Sequence, residues 1–312
     1  MVLPLIASII VIVLVGMVPR ALPVIAAATG ELVDQSAGTL NLGVEGMMLV
    51  GTTVGFFTDF YTNNLLLAFV FAGLAGLSLS LLHAVAAISL RADQVVSGTA
   101  VWFIGWGLSG IIYRALFGSY LVPPTISPLP YLQLPILSSI PILGPVIFGE
   151  DPVAYFIIIM VVVVHYFLFH TQAGLNLRTV GEDPRTAEEM GLNPKLYRYG
   201  ATMFGGFMAG IGGAYLAIAV TGTFYYDLTA GMGFIAVALI YFGKWKPYQT
   251  LLGCLVFGAV SVLFLTIQTH FQTIPYQFFA MWPYLAILTI LAGVAAKSGG
   301  PGGLGKPYEK RE

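Results

Sequence analysis

Ten apolar runs separated by short polar joints occupy most of the chain, at approximately residues 3–18, 20–33, 42–57, 65–90, 94–113, 152–170, 200–221, 229–243, 248–266 and 278–296. A helix needs about 20 apolar residues to cross roughly 30 Å of hydrocarbon, and most of these runs have that length or approach it with tilt. Lipid offers no partner to backbone N–H and C=O groups, so segments of this kind are stable there only as helices. The pattern therefore specifies an all-α polytopic membrane protein with about ten transmembrane helices. Composition agrees, since 58% hydrophobic and 9% charged residues leave too little polar surface for a water-soluble globule. The first run has no basic start and no cleavage-site pattern, so it is expected to be retained as a helix. The second is expected to be broken, because Glu31 and Asp34 follow it at once.

Basic residues set the orientation. With the tail cytoplasmic, Arg91, the four of the 171–199 loop, Lys244, Lys246 and the four of the tail fall inside, 11 of the 13 Lys and Arg, leaving Arg20 and Arg114 outside. Ten crossings then put both ends in the cytoplasm. The stretch 115–151, rich in proline and free of Lys and Arg, reads as an extracytoplasmic connection. It divides a single transmembrane domain, 1–312, into a half at about 1–114 and a half at about 152–296, followed by a tail at 297–312. Five runs per half make the halves enter from opposite sides, the arrangement of inverted repeats.

The third run of each half opens on a polar, glycine-marked break: Asn41-Leu-Gly43-Val-Glu45-Gly46 and Thr229-Ala-Gly231-Met-Gly233-Phe234. Interrupted segments at corresponding positions point to a pathway near the midplane, although the same glycines also suit close helix packing. Glu45 favours the pathway, since a carboxylate beside an apolar helix is expensive and usually functional.

A polar island lies between Gly174 and Ala214 and carries 4 of the 13 Lys and Arg. Asp183 can act as N-cap, Pro184 fits the first helical position, Glu188 and Glu189 follow, and Gly191 closes the turn. These are the marks of a short helix shown to something outside the membrane.

Other motif matches carry no chemistry. Gly105-Trp-Gly107-Leu-Ser-Gly110 fits a dinucleotide-binding pattern but lies in an apolar run without a preceding strand. Gly300-Pro-Gly-Gly-Leu-Gly305-Lys306 opens like a phosphate-binding loop, yet Pro307 stands where Ser or Thr must reach magnesium. A serine nucleophile at Ser109 would need a histidine base, and His83, His165, His170 and His270 all sit near segment ends. Cys254, the single cysteine, lies in an apolar run and reads as a core thiol. A net charge of -1 excludes nucleic acid as a partner. Intramembrane charge is sparse, with Glu45 and Asp93 the main carboxylates near segment starts, so no coupling relay is evident. Neither a catalytic residue, a metal site nor a cofactor is expected.

Asn41-Leu-Gly-Val-Glu-Gly46-Met47-Met48, Ala92-Asp-Gln-Val-Val-Ser-Gly98-Thr99-Ala100, Val180-Gly-Glu-Asp-Pro184 with Ala187 and Gly191, Gly233-Phe-Ile-Ala-Val-Ala-Leu with Gly243-Lys-Trp-Lys-Pro247, and Met281-Trp-Pro-Tyr284 with Leu291-Ala-Gly293 form an ordered series. From about Leu22 to Gly293 it resembles the permease family of branched-chain amino acid and simple-sugar ABC importers, most of all the nucleoside and simple-sugar branch. Members often carry Asn where Asp183 stands and a basic residue near Met232.

The resemblance implies a multi-pass cell-membrane permease that pairs with a second, commonly different permease. Two cytoplasmic ABC ATPases and an extracytoplasmic substrate-binding protein or lipoprotein would complete the assembly. It implies a coupling loop at Gly181, Glu182, Asp183, Pro184, Ala187 and Gly191, with ATP hydrolysis on the partner subunits. Asn41, Glu45, Trp102 and Phe234 are the substrate-pathway candidates, the aromatic faces suiting a base or sugar; for Trp102 the competing role is packing. A branched-chain amino acid permease and an ion-coupled secondary carrier are the alternatives.

Overall fold

The computed structural model describes residues 2–118, 124–127, 129, 130, 132, 149–269, 271, 273–294 and 299–308. Among them every regular element is helical, apart from one isolated bridge between Thr125 and Thr223. Among the described residues, seven helices are long and apolar enough to cross a membrane.

The first departure from expectation is at the start. Runs 3–18 and 20–33 form one continuous helix, α1 (Val2–Ser36), with Pro19 and Pro23 inside it. At 35 residues it is about 50 Å long, so its two ends lie on opposite sides of the bundle and cannot share one side as ten crossings required. Proline ends most soluble helices, but packed neighbours in a membrane bundle compensate the lost hydrogen bond. Arg20 marks no turn either; it faces a recess of mixed polarity lined by Leu265, Gln268, Thr269, Ile274 and Tyr276.

The second departure concerns the break. Glu31 and Asp34 do not interrupt α1, because both are fully buried and hydrogen-bonded: Glu31 accepts from Gln35 Nε2 at 3.0 Å and Asn41 N at 3.2 Å, and Asp34 from Thr202 Oγ1 at 2.6 Å. The chain breaks after them, at 37–43, and resumes as α2 (Val44–Thr62).

α3 (Leu65–Ala84) continues through a π-helical turn, Val85–Ser89, and α4 (Gln94–Phe117) follows. α5 (Pro152–His170) starts at Asp151, whose carboxylate caps Val153 N and Ala154 N and accepts from the Tyr215 hydroxyl at 2.6 Å. α6 (Gln172–Glu182) and α7 (Pro184–Glu189) form the polar island, and α8 (Pro194–Tyr215) ends in a second π-helical turn, Leu216–Thr221. α9 (Met232–Phe242), α10 (Pro247–Gln268), α11 (Tyr276–Ala280) and α12 (Trp282–Val294) complete the order. Most of the 115–151 connection lies outside the described residues; Ile126 N donates to Gly222 O at 3.0 Å where it meets the loop after α8.

α8 is the most buried of the seven candidate spans. Its glycines let four backbones meet: a Cβ on Gly210 would lie 2.2 Å from Ala72 O of α3, and one on Gly51 of α2 would lie 2.3 Å from Gly210 O. Apolar side chains gain little by leaving lipid for protein, so close backbone packing supplies the association energy. α1 packs antiparallel to α8, with Gly30 against Gly205 and Pro23 against Gly212.

One end of the bundle gathers the C-terminal turn of α1, the islands α6 and α7, the start of α8, the α9–α10 turn and the tail. Arg178, Arg185, Lys195, Arg198, Lys244, Lys246 and Lys306 all lie on these segments. The Ser89 hydroxyl meets the Tyr199 hydroxyl at 2.6 Å and brings Arg91 to the same end. Lys297, Lys310 and Arg311 lie outside the described residues.

The single-helix α1 has a direct test. In a background with Cys254 replaced, Leu3→Cys and Ser127→Cys are expected to react with an impermeant thiol reagent added to intact cells, and Glu189→Cys is not. Protection of Leu3→Cys together with Glu189→Cys would mean that the chain reverses before Ser36.

Candidate functional site

The two glycine-marked breaks are joined by one carboxylate. Glu45, in the first turn of α2, is 1% exposed. Its Oε1 accepts from Thr229 Oγ1 at 2.5 Å and Gly231 N at 2.8 Å, and its Oε2 accepts from Gly233 N at 2.6 Å. Those two amides are orphan donors at the start of α9, where no residue of α9's own cap supplies an acceptor. Glu45 is therefore an N-cap delivered from the other half of the chain.

The local sequence builds the joint. Gly231 takes φ +88°, a left-handed conformation suited to glycine, and so ends the loop and starts α9. A Cβ on Gly233 would lie 2.6 Å from Glu45 Cα, so only glycine lets the two helix starts touch. α9 has 11 residues, about 16 Å, and it ends at the basic end of the bundle; its start thus lies roughly halfway through a 30 Å core.

Of the four pathway candidates, Glu45, Trp102 and Phe234 come together. The Trp102 and Phe234 rings meet edge to face at 5.1 Å, and both side chains are half-buried beside the joint. Trp102 belongs to α4, whose backbone presses on Gly46 closely enough that a Cβ there would lie 2.7 Å from Trp102 Cα. Gly105 meets Gly46 in the same way, which accounts for the first glycine of the 105–110 pattern as packing. Asn41 differs: it is fully buried, and its Oδ1 accepts from Gly43 N at 2.9 Å, so its side chain holds the turn before α2.

At the basic end, α7 carries the caps its sequence implies. Asp183 Oδ1 accepts from Arg185 N at 3.0 Å, while Oδ2 accepts from Thr186 Oγ1 at 2.7 Å, and this hydroxyl contact leads in holding the Asp183 carboxyl below its usual pKa. Leu192 N donates to Ala187 O at 3.0 Å and Gly191 N to Glu188 O at 2.8 Å, with Gly191 at φ +84°, a glycine stop of the Schellman type.

Within this loop the candidate residues divide. Gly181 and Ala187 face inward: Ala187 is fully buried, and a Cβ on Gly181 would lie 2.0 Å from Ser36 O of α1. Outward on α7 and just after it lie Arg185, Thr186, Glu189 and Met190, the last 71% exposed, and the candidates Glu182, Asp183 and Gly191 are exposed beside them. The sequence reading took residues 184–190 as one docking helix and did not separate its inward from its outward face.

Buried groups near the end of α1 were missed as well. Arg198 is 1% exposed and donates from Nε to Ala37 O at 3.2 Å, and Trp245 Nε1 donates to Gln35 Oε1 at 3.0 Å. Lys244 and Trp245 both have positive φ, +50° and +55°, a strained turn held by that buried indole.

Removing the clamp should register as lost stability. Glu45→Gln turns one acceptor into an NH2 group facing a donor and leaves a buried amide unpaired, a cost of about 1–3 kcal/mol. The expected outcome is a thermal unfolding midpoint in detergent lower by roughly 2–4 °C. A midpoint equal to that of the parent would remove the clamp from the set of stabilising contacts.

The chain matches the family described as branched-chain amino acid transport system / permease component over residues 13–294. It is 33% identical to the nucleoside ABC transporter permease protein NupC of Lactococcus lactis, covering 96% of this chain and 97% of the relative. It is 34% identical to the guanosine ABC transporter permease protein NupQ of Bacillus subtilis, covering 93% and 94%. With the putative glucose ABC transporter permease protein TsgC13 of Haloferax volcanii it shares 38% identity over 81% of this chain and 76% of the relative. No solved structure gives a significant match. Glycine-built helix packing, two helix starts joined inside the bundle and similarity over nearly the full length to such permeases agree: the chain belongs to the branched-chain amino acid transport permease family and is a membrane-embedded permease subunit of an ABC transporter.

Proposed function

We propose that this permease forms the import pathway for a nucleoside, with a simple sugar as the second candidate solute. The observation that carries the proposal is the match, over nearly the full length of both chains, to permeases named for nucleoside and guanosine transport. The Trp102–Phe234 pair beside the Glu45 joint supports it, because half-buried aromatic faces suit stacking on a base or the apolar face of a sugar. The similarity to a putative glucose permease keeps the sugar in view.

In this scheme α2 and α9 are equivalent half-helices of two inverted repeats. The C-terminal part of α1 corresponds to α8, α3 to α10 and α4 to α12. Substrate passes where the breaks 41–46 and 229–234 meet, and opening the route separates α2 from α9. The outward face of α7, Arg185, Glu189 and Met190, docks on a cytoplasmic ATPase. A second permease and an extracytoplasmic binding protein or lipoprotein complete the assembly.

The test is reconstitution of the permease with its ATPase and partner permease in liposomes, with labelled guanosine, glucose and leucine compared. ATP-dependent accumulation of guanosine is expected. Accumulation of leucine alone would replace the solute class, and uptake without ATP that collapses with an ionophore would identify a secondary carrier. Met190→Asp is expected to lower ATP-driven uptake at least roughly fivefold by placing a charge in the apolar centre of the docking face. Unchanged uptake in that variant would move the docking face elsewhere.

A further inference from the structure

The glycine-rich tail that mimics a phosphate loop is folded onto the coupling region. Gly302 N donates to Glu182 Oε2 at 3.2 Å, and Gly303 N donates to Gly181 O at 2.9 Å, fastening the tail to α6. Leu304 packs on the buried cluster that includes Leu32, Val33 and Trp245. Lys306 O accepts from Arg198 Nη1 at 3.3 Å. Finally, the Tyr308 hydroxyl donates to Glu188 Oε2 on α7, with Tyr308 itself 7% exposed. Burial, reinforced by that carboxylate, pushes the Tyr308 phenol up to about 12, so it remains a donor at neutral pH.

These contacts form one chain. Glu188 on α7 holds Tyr308; the tail holds Arg198; Arg198 holds Ala37 O, four residues before Asn41 and the break that leads to Glu45. A helix as short as α7 has little rigidity of its own, so a force on its outward face would rock it about the α6–α7 joint. The tail spans that hinge: it is fastened to α6 at Gly302 and Gly303, meets Arg198 of α8 at Lys306 and ends at Tyr308 on α7, and Arg198 carries the connection on to Ala37 after α1.

We propose that residues 300–308 are a coupling strap, in which Tyr308 is the positioning residue that makes displacement of α7 move the end of α1. The inference rests on the proposal that α7 meets an ATPase, and it assigns a role to a segment that this proposal leaves unused.

The test uses the full reconstituted complex and reads solute imported per ATP hydrolysed, together with retention of the ATPase in pull-downs. Tyr308→Phe keeps the ring and removes only the hydroxyl; it is expected to retain the ATPase and to lower solute per ATP roughly five- to tenfold. Deletion of 300–312 is expected to do at least as much. Unchanged solute per ATP in Tyr308→Phe would overturn the proposal. So would a fall in uptake that merely follows loss of bound ATPase. Failure of the transport assignment itself would show differently, as a parent complex with no ATP-dependent uptake.

Discussion

A single buried carboxylate joins the two halves of this permease. Glu45 satisfies three donors of the 229–233 segment, and the fully buried start of α2 is thereby fixed against the start of α9. α9, with 11 residues, does not span the bilayer by itself, and a polar break left against lipid would cost several kcal/mol for each unpaired group. With the carboxylate in place, those groups become each other's partners. The surrounding contacts of Gly46, Gly105 and Gly233 serve the same joint by removing the side chains that would hold the helices apart.

Much of this was legible in the residues. Apolar run length gave the helical class, and the pairing of 41–46 with 229–234 followed from polar, glycine-rich interruptions at matching positions. The caps of α7 were readable because N-cap, proline and stop glycine act within one turn. Contacts remote in sequence were not readable. Glu31 and Asp34 read as a break because their partners, Asn41 N and Thr202, lie on a loop and on a helix 168 residues away. Pro19 and Arg20 read as a boundary because nothing local showed that α10 and its following loop receive the arginine. The division of the 181–191 loop into inward and outward faces depends on where α6 meets α1, which is tertiary information.

The basic end of the bundle follows a different logic from the core. α8 is packed through glycines against apolar neighbours, whereas the segments around Ser36 are tied by specific donors: Arg198 to Ala37, Trp245 to Gln35 and Gly303 to Gly181. Backbone packing tolerates sliding of one helix on another, while such hydrogen bonds hold fixed distances. A bundle that is smooth inside and tied at one end is suited to tilt as units about that end.

The charge at the joint has an electrical consequence. Each helix N-terminus carries roughly half a positive charge, and the starts of α2 and α9 both sit at Glu45, so the two dipole ends and the one carboxylate sum to about zero. Moving this joint through the membrane field therefore displaces almost no net charge, and a transmembrane voltage does little work on it. In the proposed import scheme, passage of an uncharged solute through this joint would therefore be nearly indifferent to membrane potential.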